Sequence, residues 1–428
     1  MHRRPNANEL QTHDTSMSRR LLAIGWDMPP LSGPRAVQVS RLVKHLVPLG
    51  WESWVVSFGP RSDRYNQDRE LASRLRAPDG VTLVPVPSLE ERLVCRMLWR
   101  VLPPLKLLPD EKWVWIRAAS RKARRLAAER RFDVLVSFAQ PWSDHLIGLR
   151  VHRATGLPWV AHFSDPWTDS PYLRGRRWQR RIWERMEADV VRHADALVFV
   201  NKQTADRVMR KYPDEWHGKA HVVPHGFDRS DLSPAGPAPA GGPLTIVHTG
   251  RFYDGIRTPE PMLRALATLG LRRPLGRELR VSFVGTPMAS HRQLASALGL
   301  DDVVEFTGRV PFAESSRRAN AADVLLLIDA PASESLFLPS KLVDYLPARK
   351  PILGLTPPRG ASADLIRALH YPVIAPDDEQ GIAAAIEALI AAKHEGRLSV
   401  SMNQSVVEQW YDIHRTARAF AEILERCT

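Results

Sequence analysis

The sequence predicts an α/β protein made of two doubly wound domains that face each other across a cleft. Three observations carry that prediction. The chain has 428 residues, 44% of them apolar, more than a single hydrophobic core goes on gathering, so two domains of roughly 200 residues are expected. Short apolar runs rich in β-branched residues alternate with longer segments of helical periodicity, the pattern of a parallel sheet covered on both faces. Residues 230–243, SDLSPAGPAPAGGP, interrupt that alternation with prolines that remove backbone donors and glycines that favour disorder, and so read as a linker.

In the first domain, residues 17–229, LLAIGW (21–26) is the opening strand. AVQVSRLVKHLVPLG (36–50) follows it with Val39, Leu42, Val43 and Leu46 at helical spacing and Gly50 placed for a C-cap. ESWVVSFG, DVLVSFA (133–139), PWVAHFS (158–164), ALVFVN (196–201) and HVVPHG (221–226) repeat the strand theme. After the linker a second domain, 244–404, restarts with LTIVHTG, RVSFVG (280–285), VVEFTG (303–308), DVLLLID (323–329) and KPILGL (350–355). The last segment, 405–428, is expected to return to the first domain as a helix. Open parallel sheets bind ligands at the carboxyl ends of their strands, so the strand-to-helix loops are where chemistry is sought.

Composition narrows the function classes. Residues 1–16, MHRRPNANELQTHDTS, are polar and aperiodic and read as a disordered tail before a start near Met17. No run approaches the roughly 18 apolar residues that span a bilayer, so membrane contact would be peripheral. Cys95 and Cys427 make neither a disulfide framework nor a zinc spacing, which fits a reducing cytoplasm. Net charge is +13, and residues 1–250 hold 39 Lys+Arg against 26 Asp+Glu, the whole excess. Such asymmetry points to an anionic partner: a membrane surface, a nucleic acid or a phosphorylated substrate. Residues 92–131 hold 12 Lys+Arg against 3 Asp+Glu, with Arg92, Arg96 and Arg100 on one helical face beside Leu93, Met97, Leu98 and Trp99. They read as an interfacial patch at an acceptor entrance, or as a core helix with snorkelling arginines.

Two loops of the second domain suggest a diphosphate site. Arg251 follows the strand ending at Gly250, and Arg257 stands just before a helix start marked by Pro259; two guanidinium forks beside a helix N-terminus suit phosphate oxygens. In FLPSKLVDYLPARKPILGL (337–355), Ser340 is a candidate cap, while Lys341 and Asp344, three apart on one helical face, pair a phosphate cation with a carboxylate for ribose hydroxyls.

These stretches, in this order, resemble the group 1 (family 4) retaining glycosyltransferases of GT-B architecture, two Rossmann-like domains, over roughly residues 20–425. Gly250-Arg251 and Arg257 match the family's Gly-Arg pair and the basic residue six positions beyond it. PSKLVDYLPARKPIL resembles the segment whose glutamate binds the donor ribose, with Asp344 at that position; where many members carry a further glutamate, Leu336 stands here, with Glu334 two residues off register. VVPHGFD (222–228) is similar to the segment leaving the first domain. MPPLSGPRA (28–36) resembles the loop that approaches the donor diphosphate, implying Gly33 and Arg35, and VVEFTGRVPFAES (303–315) resembles the base-contacting loop, implying Gly308 and Val310.

Acceptor chemistry is then expected from the first domain, where SFAQPWSDH (137–145) and HFSDPWTDSPY (162–172) end strands. Asp165 in Asp-Pro-Trp resembles an element of bacterial members that build surface polysaccharides; its carboxylate suits orienting or deprotonating a hydroxyl, and Trp167 suits stacking on a sugar ring. His162 and His145 are alternatives. The expected catalytic set is thus Asp165, Arg251, Arg257 and Lys341. The resemblance implies a nucleotide-diphosphate sugar donor and a glycan or lipid-linked acceptor at the cytoplasmic membrane face. No DxD-type aspartate pair ends a strand, and no pyridoxal-lysine context occurs, so neither metal nor cofactor is expected. Nucleic acid is not an expected partner, since no RNA-binding, helix-turn-helix or zinc module is present. The alternatives are a noncatalytic nucleotide-sugar or nucleic-acid binding protein and, among enzymes, a GT-B epimerase or phosphorylase.

Overall fold

Runs of consecutive apolar residues bury both faces of a strand, and in the computed structural model they form two parallel sheets. It describes residues 19–428 apart from 61–64, 66, 70–72, 74–79, 92–107, 233–241, 254 and 399–401. The expected tail, most of the linker and the patch around Arg92, Arg96 and Arg100 therefore lie outside the described residues.

The first sheet has β1 (Arg19–Ile24), β2 (Trp51–Phe58), β3 (Val81–Val86), β4 (Val134–Ala139), β5 (Trp159–Phe163), β6 (Ala196–Phe199) and β7 (Ala220–Val222), in the order β3-β2-β1-β4-β5-β6-β7. Its helices are α1 (Pro34–Leu46), α2 (Ile116–Glu129), α3 (Ser143–Thr155), α4 (Arg177–His193) and α5 (Lys202–Met209). Leu21 and Ala23 of β1 face a core with Val39, Leu42 and Val43 of α1, while Leu22 and Ile24 face one with Ala119, Ala123 and Ile147 of α2 and α3. The period of two along the strand thus feeds two helical layers.

The second sheet has β8 (Leu244–Thr249), β9 (Leu279–Val284), β10 (Val304–Gly308), β11 (Val324–Ile328), β12 (Ile352–Leu355) and β13 (Val373–Ile374), in the order β10-β9-β8-β11-β12-β13. Around it lie α6 (Glu260–Gly270), α7 (Ala289–Ala297), α8 (Phe312–Ala321), α9 (Ser340–Tyr345), α10 (Ala361–Ala368) and α11 (Glu379–His394). Every strand pairing in both sheets is parallel. Strand order reverses between β1 and β4 and again between β8 and β11, which opens a crevice at each sheet's carboxyl end.

The chain then returns through α12 (Gln404–Tyr411) and α13 (Ile413–Cys427). Ala417, Phe420 and Leu424 of α13 join the core shared by α1 and β1. The two interdomain passages touch: Phe227 N donates to Tyr411 O at 2.9 Å, and Ile413 N donates to Phe227 O at 3.1 Å. A Cβ on Gly226 would lie 2.7 Å from Ile413 Cα, so glycine permits this approach.

The domains also meet at a charged seam. Arg41 of α1, buried, donates Nε to Asp231 at 2.5 Å and Nη1 to Asp344 of α9 at 2.7 Å. Across the other side of the cleft Arg207 donates to Glu334 at 3.0 Å.

Candidate active site

Between the carboxyl ends of the two sheets lies a cavity of about 900 Å³. The first domain contributes Asp27 after β1, Arg35 and Gln38 of α1, Gln140 after β4 and Asp165 after β5; the second contributes Arg257 after β8, Asp329 after β11 and the segment from Glu334 to Ser340.

Arg35 is the centre of the first-domain wall. It is 8% exposed, its Nη2 donates to His162 Nδ1 at 3.0 Å, and its Nε and Nη1 have no partner among the described residues. Burial lowers its pKa to about 10, resisted by Asp165, Asp144 and Asp27, so it stays a cation at neutral pH with donors to spare. Burial pushes the Asp165 carboxyl up to about 6, against Arg35 and a hydrogen bond from Ser164, and Gln140 Nε2 donates to it at 3.1 Å. Asp27 is likewise pushed by burial up to about 6, with Lys112 and Arg35 opposing. Two carboxyls therefore change charge just below neutrality on either side of a fixed cation.

Arg257 faces them from the second domain. Its ring partner is Tyr253, 5.1 Å from the guanidinium, and Nη2 donates to Arg251 O at 2.6 Å; its buried Nε is unpartnered among the described residues. Arg251 itself is exposed and stands outside the cavity lining. Lys341 is buried behind the cavity wall against Gly250, whose φ is +125° and whose hypothetical Cβ would sit 2.8 Å from Lys341 Nζ. Ser340 lines the cavity as the first residue of α9 but makes no side-chain cap; Pro339 holds the cap position.

Several expectations are corrected. Trp167 is fully buried and stacks on Trp142 at 5.0 Å, so it offers no open face to a sugar and forms the cavity floor. His162 is 3% exposed and lies behind Arg35 rather than in the cavity; since arginine only donates, its Nδ1 accepts, and burial and Arg35 hold its pKa well below 6.5. His145 is buried, within 2.8 Å of Ser137 Oγ, and burial lowers its pKa to about 3. Asp344 does not share a wall with Lys341: its carboxylate is turned to Arg41 at the seam, in a separate recess of about 60 Å³. The two residues share a helix face, but the long lysine stem reaches back to Gly250 while the short carboxylate is held by Arg41. Gly33 has φ of −71° and nothing within 4 Å of an added Cβ; it needs no glycine for conformation, and it caps α1 from open space. Gly308, with φ of +78°, and Val310, packed on the core of the second domain, stand outside the large cavity.

Two acidic lining residues escaped the sequence reading, Asp27 and Asp329, while Glu334, off register in the sequence, also lines the cavity. Asp329 follows β11 and accepts from Thr356 Oγ1 at 2.8 Å, while burial raises its pKa against Ser362, Thr356, Arg257 and Lys341. The available signal was the place of Asp27 and Asp329 at the ends of predicted strands.

Two doubly wound domains with a cleft between their carboxyl ends define the GT-B fold. Residues 35–226, within the first domain, match the glycosyl transferase 4-like domain. It is 30% identical over 154 residues to the D-inositol 3-phosphate glycosyltransferase of Nocardia farcinica, a match spanning 32% of this chain and 33% of that relative. Among solved structures it is similar to Anabaena HepE in complex with UDP and glucose, at 14% identity and TM-score 0.67 over 95% of this chain and 99% of that one. It is also similar to WaaG, a glycosyltransferase involved in lipopolysaccharide biosynthesis, at 15% identity and TM-score 0.60 over 94% and 99%.

Proposed function

We propose that this chain is a retaining, hexosyltransferase-type glycosyltransferase that moves a sugar from a nucleotide-diphosphate donor to a hydroxyl of a glycan or lipid-linked acceptor in polysaccharide biosynthesis. One observation carries the reading: the cavity sets Arg257 of the second domain opposite Arg35 and Asp165 of the first. The similarity to HepE, crystallised with UDP-glucose, supports the donor class, and that to WaaG, involved in lipopolysaccharide biosynthesis, supports the polysaccharide role.

In the reaction the acceptor oxygen bonds to the anomeric carbon while the bond from that carbon to the phosphate oxygen breaks, its electron pair leaving with the diphosphate. Asp165 orients the hydroxyl and receives its proton. Arg257 and Lys341 stabilise the charge gathering on the diphosphate, aided by the backbone amides at the N-terminus of α1, which has no side-chain cap. Gly250 and Ser340 are assigned to the donor side.

The same reading places the protein at the cytoplasmic membrane face. Among the described residues no helix is long and apolar enough to cross a membrane. Arg117, Arg121, Arg124 and Arg125 are exposed along α2, a stripe that suits anionic headgroups; because α2 feeds the amino end of β4, the stripe runs from the cleft end down the flank of the domain.

Thermal-shift titration with nucleoside diphosphates, followed by transfer assays with membrane lipid extract, tests the proposal. A bound diphosphate raises Tm with the logarithm of its concentration, and Arg257→Ala lowers kcat/KM by roughly 10²–10³-fold. Unchanged activity in Arg257→Ala refutes the site. Nucleotide binding without donor turnover in any extract favours a noncatalytic binding protein instead.

A further inference from the structure

We propose that His248 is a positioning residue for Lys341, an uncharged prop that holds the lysine amino group against Gly250 and leaves its charge for the donor diphosphate. The inference rests on the donor reading above.

His248 lies in β8 and is fully buried. Its Nδ1 is 3.0 Å from Leu326 O; a carbonyl only accepts, so Nδ1 carries the proton and Nε2 is left as an acceptor. That Nε2 lies 3.3 Å from Lys341 Nζ, the one hydrogen-bond partner of the amino group among the described residues. The imidazole is stacked on Phe252 at 4.9 Å and 11° and tilted against Phe283 at 6.0 Å, which fixes its plane. Burial, with Lys341 and Arg257 nearby, keeps its pKa well below 6.5, so it does not compete for the proton.

The remaining charged and titratable groups around Lys341 agree. Burial, seconded by repulsion from Arg257 and opposed by Asp329, holds its pKa well below 10.5. Tyr345, one turn on, is occupied with Thr249 N at 2.9 Å. A carboxylate in place of His248 would pair with the ammonium and have to be displaced by the incoming phosphate. A neutral acceptor fixes the amino group without neutralising it, and a phosphate arriving at Gly250 then favours the protonated lysine.

The test is a double-mutant cycle read by calorimetric titration of the full chain with UDP, GDP, ADP and TDP. For whichever binds the parent, His248→Phe should weaken binding about tenfold, the worth of one charge-assisted hydrogen bond, but less than about twofold in a Lys341→Met background. His248→Gln, which keeps an acceptor, should bind more tightly than His248→Leu, and donor KM should rise more than kcat falls. Equal losses in both backgrounds, or equal affinities of the Gln and Leu variants, overturn the inference, and the Gln–Leu comparison decides it if His248→Phe does not fold. If Lys341→Met leaves affinity intact, the diphosphate role of Lys341 fails instead; if no nucleotide binds, the donor reading fails and takes this inference with it.

Discussion

Replacing Arg41 with methionine removes the cation of the interdomain seam while keeping most of its apolar stem. The Arg41 side chain is 5% exposed, Asp231 11% and Asp344 31%. Deleting one partner of a buried ion pair costs about 3–5 kcal/mol because the other charge is stranded. Asp231 is stranded in full, whereas Asp344 regains water, so the expected loss lies near the lower limit, about 3 kcal/mol. Urea unfolding followed by tryptophan fluorescence measures it for the parent, Arg41→Met and Arg41→Met/Asp231→Asn. The double variant should recover about half the loss or more, since it removes the orphaned charge. A loss under about 1 kcal/mol, or a double variant no more stable than the single, would show that the seam is not a desolvated pair.

Gly250→Ala places a Cβ 2.8 Å from Lys341 Nζ at a φ of +125°, a strain of about 1–3 kcal/mol; nucleoside diphosphate affinity should drop at least about tenfold, and undiminished binding would separate Gly250 and Lys341 from the donor. For Asp165, whose carboxyl is raised from 3.8 to about 6, kcat/KM should climb as pH rises through about 6, and Asp165→Asn should lose that limb along with roughly 10²–10⁴-fold in rate. The stability effect has the opposite sign: with the folded pKa raised, the contribution is full below the unfolded value near 3.8 and is lost as pH rises through about 6. Asp165→Asn should therefore melt higher than the parent at pH 7.5, by a margin that disappears at pH 3.5.

The alternation of strands and helices was legible because burial on both faces writes itself as unbroken apolar runs, as in LLAI and VLLLI. β3 was not, since VTLVPV is a half-exposed edge strand containing Pro85, and β13 has only two residues. Within the site, Arg257 and Asp165 could be found because each follows a strand end. Lys341 and Asp344 share a short helix in sequence but part company in space, as Gly250 draws one and Arg41 the other. Trp167 could be placed near the cavity but not oriented, because which way an indole turns depends on Trp142, a neighbour 25 positions earlier.

The return of α13 to the first domain means that the backbone passes between the domains twice, side by side, joined where Phe227 bonds to Tyr411 and Ile413. A single tether would let the lobes swivel and slide in any direction. Two adjacent tethers confine them to opening and shutting about one line, so that every approach of the lobes presents the same pair of faces to whatever lies between them.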